Sequence, residues 1–320
     1  MANMKDVARL AGVGMGTVSR VLNESGYVSA SVRKRVRSAM EQLNYTPNCT
    51  AQTLKGGKNK IIGLFVPTVS HPFFSAIAGE IETCLDRRGY KLLLVCSQNS
   101  AEKESGVIRL IASGRVDGAI FITHYRHNDI LPDYPIVTLD RHLGENVPCV
   151  TSDNFESSRR ATEYLLKRSG GKIGYLGGKP KVDSEVGERL NGYCAAMHAN
   201  GREERILFEE IAHGEEANLA EKFFDRYPNA EGALVSGDML ALALYREAEK
   251  RGGKVPEDFK IVSYDGVLDS WVKSPKFTFI RQDIPNLSEA IVDQLVRKIE
   301  GRHVQEKIIV PSLFEEGETT

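Results

Sequence analysis

The amino-acid sequence predicts two unlike parts: a small all-α head and an α/β body built from two Rossmann-like, doubly wound lobes with a cleft between them. Residues 4–22 show the apolar spacing of two short helices around a glycine turn. From residue 61 onward, short apolar runs alternate with helical stretches, as in parallel sheets covered by helices. Charge divides the chain at the same place, since residues 1–60 hold ten Lys/Arg and three Asp/Glu, whereas the remainder holds 32 basic and 40 acidic residues.

The first 44 residues predict a helix-turn-helix domain. The apolar face of the first helix consists of Val7, Ala8, Leu10 and Ala11. Gly12 to Gly14 form the turn, and a second helix follows over about residues 15–22, with a third over about residues 31–43. In such a unit the second helix enters the major groove of DNA with its amino end first. A basic head on an acidic body also indicates a polyanionic partner.

Residues 45–60 predict a linker between the head and the body. Pro47 and the Gly56-Gly57 pair bracket a segment that is too short to form a stable helix alone. This segment could fold against DNA and a second copy of the chain. Leu54 within it is the type of side chain that wedges between base pairs from the minor groove.

The body, residues 61–320, is predicted from its apolar runs. The predicted strands are 61–67, 91–97, 118–122, 136–140, 172–178, 232–238 and 260–266. The helical stretches between them include 73–88, 102–113, 154–168, 185–200, 217–227 and 238–251. We expect a first lobe of about residues 61–157 plus 286–320 and a second lobe of about residues 158–285. Ligands of doubly wound folds bind at the carboxyl ends of the strands, so the two lobes should share a cleft there.

Polar and aromatic side chains follow several of these strands. The candidates are Phe73, Phe74, Asp140, Arg141, Asp238 and Asp265, with Arg189 in the helical stretch 185–200 and Gln282 after a crossover strand, FTFIR. Carboxylate and guanidinium groups form strong hydrogen bonds to vicinal hydroxyls, and aromatic rings pack on the C–H face of a sugar. Singly, each aspartate could be a helix N-cap and each phenylalanine a core residue. Together, at successive strand ends, they favour a polar ligand.

Several classes of protein are not indicated. The amino-terminal residues lack the apolar region of a secretion signal, and no run approaches the ~18 apolar residues of a membrane span. We therefore expect a cytoplasmic protein without a membrane partner. The five cysteines are scattered and predict reduced thiols, and His124 and His127 have no further ligand nearby, so no metal site is expected. The sequence shows no set of catalytic residues and no nucleotide-binding loop. We therefore expect neither enzymatic activity nor a cofactor.

The head closely resembles that of the lactose-repressor/galactose-repressor family of bacterial transcription regulators. The resemblance is carried by DVARLAGV, TVSRVLN, YTPN and the A-x-x-L-K pattern of the linker, in this order along residues 6–55. It implies that Met15, Gly16 and Arg20 face base edges. It also implies phosphate contacts from Thr17, Ser19 and Asn23 and a minor-groove wedge at Leu54. The full set expected at DNA is Met15, Gly16, Thr17, Ser19, Arg20, Asn23, Tyr45, Asn48, Ala51, Leu54 and Lys55.

Two positions of the head depart from the family pattern. The family commonly has Ser where Gly14 stands, and often Ala or a polar residue where Gly16 stands. Glycine inside a helix costs about 1 kcal/mol relative to alanine. We therefore expect a DNA-reading helix that is loose without DNA, with base readout resting mostly on Arg20 and Met15.

The body resembles the effector domain of the same family, which is similar to periplasmic sugar-binding proteins of the ribose type. The residues that match the sugar ligands are Asp140, Arg141, Arg189, Asp265, Gly266 and Gln282, with the aromatic pair of HPFF. Asp153 resembles a further cleft position. His71 departs from the pattern, standing where Asn is common. Residues 208–216 hold no clear stacking ring, with Phe208 and His213 as candidates.

The resemblance implies a sequence-specific transcription regulator, a repressor of a carbohydrate-utilisation operon. It would act as a homodimer on a pseudo-palindromic operator and respond to a small sugar or sugar phosphate in the cleft. One alternative within regulation stays open. The block over residues 15–23 also resembles the catabolite-control branch, in which a phosphorylated carrier protein is the corepressor.

Overall fold

The computed structural model describes most of the chain in two compact units, Met1–Asn59 and Lys60–Thr320. The described residues are 2–22, 25–45, 58–98, 100–122, 134–144, 147–180, 184–211, 214–268 and 275–320. Among these residues, no helix is both long and apolar enough to cross a bilayer. The predicted DNA contacts Asn23, Asn48, Ala51, Leu54 and Lys55 lie outside the described residues, as do His124, His127 and His213.

Three helices form the first unit: α1 (Met4–Ala11), α2 (Met15–Leu22) and α3 (Ala30–Gln42). A capping box begins α1, because the Asn3 side chain accepts from the Asp6 backbone N–H while the Asp6 carboxylate accepts from that of Asn3. The helix ends at Gly12, whose φ of 62° lies in the left-handed region that glycine adopts without steric cost. The buried core consists of Val7, Ala8, Ala11, Val18, Val21, Val36 and Ala39.

One residue that the sequence predicts for the head core is not buried. Leu10 is 49% exposed, although the sequence pattern placed it on the apolar face of α1. At 3.6 residues per turn, Leu10 points about 100° away from the centre of the stripe formed by Val7, Ala8 and Ala11. Helices α2 and α3 cover only that stripe, so Leu10 remains at the surface.

The first sheet of the body contains six parallel strands in the order β11-β5-β4-β3-β1-β2. They are β1 (Ile61–Val66), β2 (Lys91–Cys96), β3 (Gly118–Phe121), β4 (Ile136–Leu139), β5 (Cys149–Ser152) and β11 (Lys307–Val310). The helices in its part of the chain are α4 (Pro72–Asp86), α5 (Ala101–Ala112) and α10 (Ile284–Ile299). Strands β1, β3, β4 and β5 are buried almost throughout, as expected for a parallel sheet between helices, whereas edge strand β2 is largely exposed.

The second sheet repeats this plan in the order β12-β10-β9-β8-β6-β7. Its strands are β6 (Ile173–Gly178), β7 (Ile206–Glu209), β8 (Gly232–Val235), β9 (Lys260–Asp265), β10 (Thr278–Arg281) and β12 (Leu313–Glu315). Only β12 is antiparallel to its neighbour. The helices of this lobe are α6 (Asn154–Arg168), α7 (Glu188–Ala199), α8 (Glu216–Arg226) and α9 (Asp238–Lys250), and a 3₁₀ turn, Glu185–Gly187, precedes α7.

The end of the chain differs from the predicted lobe boundaries. The sequence placed all of residues 286–320 with the first lobe, but β12 pairs with β10 of the second sheet. The tail that follows continues this attachment: the Thr278 backbone N–H donates to Thr319 Oγ1 over 2.9 Å, and Thr319 Oγ1 donates to the Ile261 carbonyl over 2.7 Å. The chain thus passes between the sheets after β5, after β10 and after β11, which makes these three crossings the natural hinges between the lobes.

Helix α2 should gain stability when its second residue becomes alanine. A Cβ added at Gly16 meets no atom within 4 Å, so Gly16→Ala should stabilise the head by up to about 1 kcal/mol through helix propensity. Gly12→Ala is the matched control. It should destabilise the head by about 1 kcal/mol, because an L residue is strained in the left-handed region. Hydrogen exchange of residues 4–42 in the full-length chain measures both effects, and equal protection in the two variants would contradict the prediction.

Candidate functional site

The outward surface of α2 is formed by the residues that the sequence assigned to base edges. Met15 is 48% exposed, and Gly16 and Arg20 are exposed as well. Thr17 and Ser19 are half-buried beside them. Tyr45, which follows α3, packs against the head core. The Gly14 carbonyl accepts from the backbone N–H groups of Thr17 and Val18, at 2.9 and 3.2 Å, so Gly14 is the N-cap residue before α2 and supplies no side-chain cap.

Tyr27 is a feature of the head that the sequence reasoning missed. It lies in the connection between α2 and α3 and is 92% exposed. Its neighbour Gly26 lies beside the Arg20 side chain. An exposed aromatic ring in a basic unit is a further candidate for contact with a partner. Its exposure could not be read from the sequence, because an isolated tyrosine in a loop has no periodicity.

A cavity of about 590 Å³ lies at the carboxyl ends of strands from both sheets of the body. Seven of the nine residues predicted to bind an effector line it: Phe73, Phe74, Asp140, Arg141, Arg189, Asp265 and Gln282. Phe73 sits on the first turn of α4, which Pro72 begins, and packs edge-on against Phe74 with ring centroids 5.7 Å apart. The cavity therefore combines an aromatic wall with a group of carboxylate, guanidinium and amide side chains.

Two aspartates leave the strand ends in the same unusual backbone conformation. Asp140 follows β4 with φ of 58°, and Asp265 ends β9 with φ of 90°. This conformation costs a non-glycine residue about 1–3 kcal/mol and persists where its surroundings enforce it. Gly266 follows with φ of 70°, and a Cβ there would lie 2.8 Å from the Arg281 Cα, so this turn requires glycine. The strained turns place a carboxylate from each lobe in the cleft.

Arg189 connects the polar groups of the second lobe. Its Nη1 donates to the Ser236 carbonyl over 2.7 Å and to Asp265 Oδ1 over 3.4 Å, and its Nε donates to Asn154 Oδ1 over 2.8 Å. The guanidinium also lies 3.6 Å from the centroid of the Tyr264 ring. Burial alone would lower the pKa of Arg189, but the attraction of Asp265 and other neighbours outweighs it and raises the pKa. Arg189 is therefore a buried, permanently charged group held in one orientation.

Gln282 joins the two lobes through its side chain. Its Nε2 donates to Asp265 Oδ1 of the second lobe over 2.7 Å, while its Oε1 accepts from Ser152 Oγ of the first lobe over 2.7 Å. On the first lobe, Thr151 Oγ1 donates to Asp140 Oδ1 over 2.5 Å. The polar groups are thus ordered by the protein before any ligand arrives, which lowers the entropy cost of binding.

The structure does not bring Asp153 and Asp238 to the cavity, although the sequence grouped them with it. Asp153 Oδ1 accepts from Ser157 Oγ and from the Ser312 backbone N–H, at 2.5 and 2.7 Å, which ties together two of the crossings between lobes. Asp238 is fully buried. Its carboxylate accepts from Ser263 Oγ and from two backbone N–H groups that follow Gly266, over 2.5–2.9 Å. Asp238 thereby supports the turn that carries Asp265.

Other lining residues were missed or only partly foreseen. They include Thr68, Ser70, His71, Gln98, Lys179, Glu210, Ile211, Glu216, Ser236, Gly237 and Met239. Phe208, a candidate stacking ring, packs edge-on against Tyr175 in the second lobe and does not line the cavity. Most of these residues lie in loops without a periodic pattern, and Glu216 and Met239 lie in the first turns of α8 and α9, so only the fold brings them together. Among the described residues there is no cluster of side chains that could hold a metal ion.

Comparison with known proteins matches each of the two units to a family model. Residues 3–48 match the family model of bacterial regulatory proteins of the lacI family, and residues 59–318 match that of periplasmic binding proteins and the sugar-binding domain of the LacI family. The chain is 33% identical to the sucrose operon repressor of Streptococcus mutans, over 100% of this chain and 99% of that protein. It is 32% identical to the ribose operon repressor of Bacillus subtilis, over 97% of this chain and 95% of that protein.

Among solved structures, the chain is similar to a lac repressor dimer bound to operator and the anti-inducer ONPF. The TM-score is 0.85 at 25% sequence identity, with 99% of this chain and 98% of that chain covered.

The stability of the body should depend on pH through Asp238. Burial, followed by repulsion from Asp265, raises the pKa of Asp238 from 3.8 to about 7. The folded state thus keeps a proton that the unfolded chain releases, so stability falls as pH rises from about 4 to 7 and is level above that. The slope is on the order of 1 kcal/mol per pH unit.

Asp238→Asn should remove this dependence, since the amide can accept from the two backbone N–H groups and donate to Ser263. Urea unfolding of both proteins from pH 4.5 to 8.5 measures the difference between their stabilities. A difference that does not change between pH 5 and 7 would show that Asp238 does not titrate in this range.

Proposed function

The chain belongs to the lacI family of bacterial regulatory proteins, and from this premise we propose that it is a transcriptional repressor whose binding to operator DNA is controlled by a neutral sugar. Residues 1–44 would be the DNA-binding domain, residues 45–60 the hinge, and residues 61–320 the effector-binding and dimerisation domain. As a regulator of bacterial DNA, it would act in the cytoplasm.

The exposed face of α2 supports the assignment of DNA readout. The Arg20 guanidinium matches the two acceptors of guanine on the major-groove edge, and the Met15 side chain suits a thymine methyl group. The exposed backbone at Gly16 permits close approach to the groove. Contacts from Thr17, Ser19, Asn23, Tyr45 and Asn48 to phosphates would set the register, with Ala51, Leu54 and Lys55 contributing from the hinge.

Two copies of the chain would bind one operator. A twofold dimer presents two DNA-reading helices to two half-sites, so the operator should be a pseudo-palindrome. The similar lac repressor structure is a dimer bound to operator DNA. Twofold pairing of the hinges would couple the state of the body to the DNA.

The cleft supports a sugar effector because five polar side chains converge in it. Asp140, Arg141, Arg189, Asp265 and Gln282 are each at most 6% exposed, yet all five line the cavity. Their carboxylate, guanidinium and amide groups suit the alternating donors and acceptors of vicinal hydroxyls. Phe73 and Phe74 supply the apolar wall for the C–H face of the ring. This convergence is the observation on which the proposal rests.

The charges of the cleft favour a neutral sugar over a sugar phosphate. Among the residues that the structure describes, four carboxylates line the cavity, those of Asp140, Asp265, Glu210 and Glu216, against the cations Arg141, Arg189 and Lys179. The guanidinium groups of Arg141 and Arg189 already donate to protein oxygens. Control by a phosphorylated carrier protein would need no such cleft, so the built polar site favours the sugar.

Arg20→Ala should relax base selectivity at one position of each half-site. Loss of a bidentate guanine contact costs about 1–3 kcal/mol of discrimination, whereas non-specific DNA binding should change little. Selection from random duplex DNA, followed by titration at fixed salt, measures both. Arg9→Ala is the control, because Arg9 is an exposed head arginine paired with Asp6 on α1. Equal base selectivity in Arg20→Ala and the native protein would exclude Arg20 from base readout.

Arg189→Ala should abolish the sugar response and leave operator binding intact. Loss of hydrogen bonds from a buried charged group should weaken sugar binding by about 100-fold, or roughly 3 kcal/mol. Arg189→Lys, which keeps the charge but not the planar fork, should show a smaller loss in the same direction. Arg168→Ala is the control, since Arg168 also lies 3.6 Å over a tyrosine ring, that of Tyr164, but does not line the cavity.

Calorimetric titration with pentoses, hexoses, sucrose and their phosphates provides the measurement. Normal induction by a bound sugar in Arg189→Ala would overturn the assignment of the cleft. Tighter binding of a phosphate ester than of its parent sugar would overturn the preference for a neutral ligand.

A further inference from the structure

We propose that Ser184 and Glu185 form a latch between the lobes, which holds the Asp140–Arg141 turn in its binding position and so sets effector affinity. This inference rests on the proposed function of the cleft, and it concerns residues that need not touch the effector. Ser184 and Glu185 belong to the second lobe, just before α7, whereas the residues they grip belong to the first.

The latch holds the turn through its backbone. The Glu185 backbone N–H donates to the Asp140 carbonyl over 3.0 Å, and Ser184 Oγ donates to the same carbonyl over 2.9 Å. Arg141 Nη1 in turn donates to Ser184 Oγ over 2.5 Å. Arg141 and Ser184 also form an isolated antiparallel bridge. Asp140 therefore has its left-handed conformation supported from the opposite lobe.

The Glu185 side chain adds an ionic contact between the lobes. Its Oε1 lies 2.7 Å from His142 Nε2 and 2.7 Å from Lys307 Nζ. His142 follows the Asp140–Arg141 turn, and Lys307 begins β11, so the carboxylate joins two separate segments of the first lobe. The Glu185 side chain is 11% exposed, whereas those of His142 and Lys307 are 46% and 42% exposed. Among the described residues, the two side chains that contact this nearly buried carboxylate thus lie across the cleft.

This placement distinguishes the latch from an ordinary surface ion pair. A fully exposed pair contributes little, but removal of one partner from a nearly buried carboxylate leaves a charge poorly compensated. All of these contacts need the two lobes close together, with the effector residues assembled. Breaking them shifts the population toward arrangements in which Asp140 and Arg141 no longer face Arg189 and Asp265. An effector that binds only the assembled site then binds more weakly, by the same factor by which the population with the assembled site falls.

The test uses Glu185→Gln, Lys307→Gln and the double variant in the full-length protein. Calorimetric titration with ribose and with sucrose should show effector binding weakened by about tenfold in each single variant. The double variant should bind sugar no more weakly than the more affected single variant. Both substitutions remove the same ion pair, that between Glu185 and Lys307. Operator affinity without sugar and the melting temperature report separately on DNA binding and on folding.

Lys250→Gln is the matched control. Lys250 also pairs with a nearly buried glutamate, Glu247, at 3.0 Å, and that carboxylate has a second cationic partner in Arg251 at 2.8 Å. All three residues lie on or directly after α9 of the second lobe. Lys250→Gln should therefore leave sugar affinity unchanged, whatever it does to stability.

Hydrogen exchange supplies a measurement that needs no sugar. The backbone N–H of residue 185 should exchange faster in Glu185→Gln and Lys307→Gln than in the native protein or in Lys250→Gln. Unchanged exchange at this position would overturn the latch, as would native-like sugar affinity in both variants. Failure of the native protein to bind any sugar would overturn the proposed function instead, while the exchange result would still decide whether the contact between lobes exists.

Discussion

The buried charge of Arg189 is the constraint on which the body of this protein depends. A guanidinium group cannot leave water unless acceptors surround it, and here Asp265, Asn154 and the Ser236 carbonyl meet it from three elements. Those acceptors must in turn be held in place. Gln282 donates to Asp265 and accepts from Ser152 of the first lobe. The hydrogen bonds that compensate the charge of Arg189 therefore order both sides of the cleft. The binding site and the contact between lobes are therefore one network.

Parallel sheets explain why this network forms where it does. All neighbouring strands of the two sheets except the pair β10 and β12 run parallel, so the turns that follow the carboxyl ends of the parallel strands collect on one side of each lobe. Three crossings of the chain bring those sides face to face. Asp153 fastens two crossings to each other, and the proposed latch at Glu185 fastens the cleft itself. A ligand that changes the balance among these contacts changes the relation of the lobes, which is the form that allosteric control takes in the proposed repressor.

The head differs from the body in how it is stabilised. Its core is small, and glycines stand at residues 14 and 16 at the start of the proposed DNA-reading helix, so we expect low local stability where the surface is most exposed. We expect such a helix to gain order on DNA. Part of the interaction free energy would then go into ordering, which lowers the affinity of the head for DNA.

The sequence by itself determined the helix-turn-helix head, the two α/β lobes and seven polar and aromatic residues of the cleft, because apolar periodicity and strand-end chemistry are local signals. It also indicated the family, through motifs in fixed order. Only the tertiary structure decided that Leu10 is exposed, that the end of the chain joins the second lobe, and that Asp238 supports Asp265 from the interior. Contacts such as Glu185 with Lys307 join residues more than a hundred positions apart. No local pattern encodes them, because their geometry exists only when both sheets have formed and face each other.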